Sequence, residues 1–72
     1  MNAERRRAVA KLEAALQACH EAGLQGGVYD GTFYYWPVGT DPRDRLDFFT
    51  AVYDTGGGRV FSEMRLDGGS GS

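Results

Sequence analysis

The dipeptide Asp30-Gly31 is the feature that most restricts how this chain can fold. It stands between two stretches of strand-forming residues that end at Tyr29 and begin again at Thr32. A two-residue turn of this kind needs positive φ at both central positions, which Asp and Gly tolerate. The turn therefore predicts an antiparallel hairpin over residues 26–38, with Tyr29 directly opposite Thr32.

The alternation of side chains along this hairpin predicts two distinct faces. One face carries Leu24, Val28, Phe33 and Tyr35. The other face carries Tyr29, Thr32, Tyr34 and Trp36. Gly26 and Gly27 leave room for the opposite tyrosine rings to lie across bare backbone.

Residues 3–22 have the pattern of one amphipathic helix. Apolar residues recur at steps of three and four, and we call them the stripe: Val9, Leu12, Leu16 and Cys19, widened by Ala8, Ala15 and Ala22. Asn2 suits the N-cap, and Gly23 suits the left-handed position that follows a helix. We expect the stripe to be core. Replacing one of its leucines with alanine would then cost about 2–5 kcal/mol.

The stretch from Asp41 to Thr55 allows two interpretations. Asp41-Pro42 is typical of a helix start, and residues 56–58 are three glycines that would end a helix. The helical face would then consist of Leu46, Phe49, Val52 and Tyr53. However, residues 48–53 are also rich in strand-forming types. The end signals slightly favour a helix.

Residues 59–66 alternate in polarity and predict a last strand. The fold class is therefore α+β, an N-terminal helix packed on a small antiparallel sheet. The element order is α-β-β-α-β, or an α-β-β-β-β meander in the alternative. We expect one domain over residues 1–67, followed by residues 68–72, a Gly/Ser tail with the composition of a flexible linker, native or appended.

Composition excludes several classes of protein. The apolar runs are shorter than the ~20 residues of a membrane span, and the arginine-rich start lacks the apolar segment of a signal peptide. One cysteine allows no internal disulfide, and with one histidine it is too few for a structural zinc site. We therefore expect a cytoplasmic protein. A net charge of -2 disfavours a dedicated nucleic-acid binder.

The candidate catalytic groups do not combine into a site, so no enzyme is expected and no cofactor or metal is predicted. Cys19 and His20 are adjacent on the helix, where side chains point about 100° apart. Cys19 lies on the stripe, as an ordinary small apolar residue would. The three glycines at 56–58 are not followed by the Lys-Ser/Thr of a phosphate loop.

The aromatic face of the hairpin is the most informative feature for function, because tyrosine and tryptophan dominate protein interfaces. We expect a non-enzymatic protein-binding module: an inhibitor, adaptor or regulatory subunit. Its size and acidity suit a bacterial or phage protein, such as an anti-CRISPR-type inhibitor encoded on a mobile element. The predicted protein-binding residues are Tyr29, Tyr34, Trp36, Asp44 and Asp47. This interpretation requires that residues 41–54 leave the aromatic face open. The alternative, to which the sequence gives equal weight, is that these residues form a helix that covers the face.

Two other functions use the same face. In the first, single-stranded nucleic acid stacks on its rings, while the phosphates contact the basic start of the helix, namely Arg5, Arg6, Arg7 and Lys11. In the second, a further copy of the chain covers the face and forms a symmetric dimer. No membrane partner is expected.

Overall fold

The computed structural model describes residues 2–67 as an α+β fold. Its elements are α1 (Ala3–Glu21), β1 (Leu24–Tyr29), β2 (Thr32–Pro37), a 3₁₀ turn (Pro42–Asp44), α2 (Phe48–Asp54) and β3 (Gly58–Val60). The three strands form one antiparallel sheet in the order β1-β2-β3. The predicted order α-β-β-α-β is confirmed, and the meander alternative is wrong. The predicted Gly/Ser tail lies outside the described residues.

Both ends of α1 follow the local signals in the sequence. The Asn2 side chain accepts a hydrogen bond from the backbone N–H of Arg5 at 2.8 Å, which is the bond that an N-cap supplies. At the other end Gly23 has a φ of 80°, and its N–H donates to the carbonyl of His20. Glycine adopts this left-handed backbone without steric cost, so α1 ends there.

The hairpin of β1 and β2 has the predicted register. Tyr29 pairs with Thr32, and both turn residues, Asp30 and Gly31, have positive φ. One detail differs from the prediction. The ring of Phe33, rather than a tyrosine ring, lies across bare Gly26. A β-carbon at this position would come within 2.5 Å of the ring, so the ring needs a glycine there.

The segment after β2 is helical, but in two pieces. Asp41 caps the 3₁₀ turn, and α2 begins only at Phe48, with Asp47 as its own N-cap. The backbone of Arg45 is extended, which interrupts the helix. Because α2 starts later than predicted, its buried face also differs: Phe48, Ala51 and Val52. The predicted face residues Leu46, Phe49 and Tyr53 are exposed.

The last strand is shorter than predicted, since β3 covers three residues rather than 59–66. Val60 pairs with Phe33, only one residue from the start of β2. Because β3 runs antiparallel to β2, the residues that follow Val60 lie beside the start of β2, where the hairpin turn begins. They have almost no strand left to pair with, so β3 ends.

The core lies between α2 and the aromatic face of the sheet. Phe48 is at its centre, stacked on Tyr29 at 4.3 Å between ring centroids and edge-on to Tyr34 and Trp36 at 5.4 and 5.9 Å. Only 7% of Tyr34 and 1% of Trp36 are exposed. The expectation of an open aromatic face is therefore wrong. These rings supply the apolar burial that stabilises the fold.

The stripe of α1, in contrast, is not core. No residue of α1 is buried, and about half of Leu12 and of Leu16 remains exposed. α1 contacts the sheet mainly at β1. At 1.5 Å per residue its 19 residues span about 28 Å, whereas a six-residue strand spans about 20 Å. The start of α1 therefore overhangs the sheet.

Candidate protein-binding site

An open groove lies between the C-terminal half of α1 and the sheet face that points away from the core. Its volume is about 540 Å³. Leu16 and Cys19 of α1 form one wall, and Phe33, Tyr35 and Val60 form the other. We call this space the groove. Its lining residues include no acidic or Lys/Arg side chain, so its surface is mainly apolar.

The glycines of the sheet determine the shape of the groove. The Phe33 ring lies over Gly26, as described above, and the Tyr35 ring lies over Gly58 on the neighbouring strand. Each ring occupies space that a side chain at the glycine would need. The sheet side of the groove is therefore largely aromatic.

The apolar surface continues from the groove along α1. Val9, Leu12 and Leu16 lie at helical spacing and are 43%, 49% and 48% exposed. Leu16 belongs to both surfaces, because it lines the groove and lies in the middle of the stripe. The groove and the stripe thus form one extended apolar surface.

The charges around this surface are unevenly distributed along α1. Residues 3–12 carry four basic side chains and one acidic side chain, whereas residues 13–21 carry two acidic side chains and no Lys or Arg. Basic residues at a helix N-terminus oppose the helix dipole, so they lower the local stability of α1. Their arrangement therefore calls for an explanation outside the helix itself.

The protein-binding residues predicted from sequence lie elsewhere. Tyr29, Tyr34 and Trp36 line the core under α2. Asp47 is the N-cap of α2, and Asp44 is an exposed residue of the 3₁₀ turn. The two aspartates therefore do not surround an exposed aromatic patch.

Two aspartates near α2 have lowered pKa values. Hydrogen bonds from the Arg43 side chain, at 2.9 and 2.8 Å, and then from its backbone N–H lower the pKa of Asp41 to about 2. The hydroxyl of Thr50, at 2.7 Å, and then its backbone N–H lower the pKa of Asp47. Both carboxylates thus serve as helix caps.

Cys19 and His20 reach the groove from the end of α1, and Cys19 is a free, exposed thiol. Within residues 2–67, no group of three or more His, Cys, Asp or Glu side chains is placed to hold a metal ion. In the same part of the chain, every helix is too short or too polar to span a bilayer.

The stripe has the periodicity of a core face, yet the structure leaves it exposed. The signal that could have revealed it is length, because the helix predicted over residues 3–22 is longer than any strand the hairpin allows. Comparisons of the chain with protein families, curated proteins and solved structures found no match.

Proposed function

We propose that this chain is a small non-enzymatic protein-binding module, an inhibitor, adaptor or regulatory subunit, that binds through the groove and the stripe. The observation that carries the proposal is the exposure of the stripe beside an apolar groove. Contiguous apolar surface of this kind is unusual on a protein without a partner. We place the module in the cytoplasm, where a free thiol such as Cys19 is ordinary.

The energetics support a protein as the bound molecule. Fully burying a leucine side chain is worth about 1.5–3 kcal/mol, so covering the exposed half of Leu12 or Leu16 gains about 1 kcal/mol each. The rings of Phe33 and Tyr35 add area of the type that dominates protein interfaces. The groove is open to solvent and mainly apolar, which suits a helix or an extended segment of a protein.

The alternative of a single-stranded nucleic-acid binder stays a prediction. Stacking of bases on Tyr34 and Trp36 would require α2 to move away, because α2 covers both rings. Binding would otherwise depend on the basic start of α1 alone, and its affinity would then fall steeply with added salt.

Photocrosslinking from the edge of the groove tests the proposed function. His20 is replaced by the photoreactive residue p-benzoylphenylalanine, and the full chain is irradiated both purified and in a bacterial lysate. We expect a crosslinked product of discrete mass that disappears when Leu12→Glu and Leu16→Glu are introduced. Glutamate favours helix, so α1 remains folded in this variant.

The matched control is Leu46→Glu, which changes a fully exposed leucine beside α2 and far along the chain from the stripe. It should leave the crosslinked product unchanged. A product of the same yield in the Leu12→Glu, Leu16→Glu variant would contradict the proposed function, as would the absence of any discrete product.

A further inference from the structure

We propose that the partner bound by the stripe is α1 of a second copy of this chain, running antiparallel to the first; this inference rests on the proposed function. The stripe has the spacing of a coiled-coil seam. Val9 and Leu16 occupy the first position of successive heptads, and Leu12 and Cys19 occupy the fourth. Since no residue of α1 is buried within its own chain, this seam is available to a partner.

The two flanks of the seam differ in character. One flank consists of alanines, namely Ala8, Ala15 and Ala22. Small residues there allow a second helix to approach closely. The other flank consists of Arg6, Glu13 and His20, which are the positions that form ion pairs between helices and so determine partner and orientation.

The charge distribution along α1 selects an antiparallel second copy. The first half of α1 carries a net charge of +3 and the second half a net charge of -2, counted from the side chains given above. A parallel pair would place each half against a half of the same sign. An antiparallel pair places the basic half of each copy against the acidic half of the other, which is electrostatic complementarity.

The flanking charges, rather than the apolar positions, select one register. With Val9 opposite the partner's Leu12, the two-fold axis also places Arg6 beside the partner's Glu13, and the reverse pair forms as well. A shift by one heptad would instead place Glu13 beside the partner's Glu13, which is repulsive. The charges therefore favour the register that pairs Val9 with Leu12.

This register also gives the basic start of α1 a role. It brings the partner's Arg5 opposite Leu16, at the edge of the groove, where Phe33 and Tyr35 offer aromatic faces. A guanidinium is attracted to such faces. The arginines that oppose the dipole of their own helix thus contribute across the dimer.

A charge-exchange experiment tests the dimer. Sedimentation velocity is measured between about 1 µM and about 1 mM, the range of modest affinities. We expect the unmodified chain to shift from 7.9 kDa towards twice that mass as concentration rises. Arg6→Glu and Glu13→Arg each replace two attractive contacts with two repulsive ones, so each variant alone should dimerise about tenfold more weakly.

The decisive sample is an equimolar mixture of the two variants. In the mixture, Glu at position 6 of one chain meets Arg at position 13 of the other, and Glu13 meets Arg6, so both attractions return. We expect dimerisation of the mixture at the level of the unmodified chain. The matched control is Arg7→Glu, which makes the same charge change on the opposite side of α1 and should weaken the dimer much less than Arg6→Glu does.

A chain that remains monomeric up to about 1 mM would overturn the inference, and so would a mixture no more dimeric than its separate variants. The proposed function fails by a different observation: no discrete crosslinked product forms, or the product persists in the Leu12→Glu, Leu16→Glu variant. A crosslink to another protein, together with a monomeric chain, would overturn the second copy and leave the binding module standing.

Discussion

At the scale of single residues, Trp36 decides how this small fold is stabilised. Its ring lies under α2, edge-on to Phe48, and the guanidinium of Arg43 lies 5.6 Å from its centroid. The indole N–H is buried without a hydrogen-bond partner among the described residues, which lowers stability rather than raising it. The contribution of Trp36 is therefore the apolar burial of its ring.

Removal of this ring is expected to be severe. Because Trp36 is 1% exposed, we expect Trp36→Ala to lower the free energy of unfolding by about 3–5 kcal/mol. Natural domains are stable by only about 5–15 kcal/mol, so this loss removes a large share of the stability of the fold. Urea denaturation followed by far-UV circular dichroism measures the change without relying on the lost fluorophore.

The comparison variant is Leu12→Ala, which shortens a half-exposed side chain of the stripe. In dilute solution it should change the free energy of unfolding by less than about 1 kcal/mol, as surface substitutions usually do. If Trp36→Ala unfolded at the same urea concentration as the unmodified chain, the core assignment would be wrong.

At the scale of elements, α2 depends on a cap that titrates. Asp47 holds the first turn of α2 through the hydroxyl and backbone N–H of Thr50, and these bonds lower its pKa. Asp41 holds the preceding 3₁₀ turn with a pKa of about 2. A carboxyl whose pKa is lower in the folded state than in the unfolded state stabilises the fold at any pH above its unfolded-state pKa. This stabilisation is lost as the pH falls towards the folded-state pKa.

The thermal midpoint should therefore fall as pH is lowered from 3.8, the ordinary pKa of these carboxyls, towards about 2. Asp47→Asn keeps a good cap that does not titrate, so its midpoint should depend less steeply on pH. Asp47→Ala removes the cap and should lower the midpoint at neutral pH as well. Thermal unfolding by circular dichroism at several pH values checks both, and equal slopes for Asp47→Asn and the unmodified chain would count against this role.

The elements that the sequence predicts correctly are those set by local chemistry. Asn2, Gly23 and the Asp30-Gly31 turn act on backbone within a few residues, so the bounds of α1 and the hairpin register follow from them. The length of β3 instead depends on where β2 ends, and that is a property of the sheet. The later start of α2 similarly depends on which rings Phe48 can reach in the core.

The proposed binding surface is harder to predict, for a related reason. Periodicity establishes that one side of α1 is apolar, but it does not identify what covers that side. The aromatic face had the same ambiguity, because Tyr34 and Trp36 suit a core and an interface equally well. In the fold α2 covers the aromatic face, and the stripe is left exposed.

At the scale of the whole molecule, the chain is more extended than its size requires. A compact domain of this length has a radius of gyration of about 11 Å, whereas this chain has 13.6 Å and a longest dimension of 43 Å. The difference agrees with the overhang of α1 beyond the sheet. A second copy packed along α1 would bury the side chains that this shape exposes.

Stability should therefore depend on protein concentration. A dimer formed by folded chains stabilises them by mass action, so the thermal midpoint should rise between about 5 µM and about 500 µM. Leu12→Glu with Leu16→Glu removes the seam and should abolish that rise, while its midpoint in dilute solution stays close to that of the unmodified chain, because neither leucine belongs to the core. Any association restricted to the folded state must raise the thermal midpoint as the protein concentration rises. If the midpoint of the unmodified chain is the same at all concentrations, the stripe does not bind a second copy.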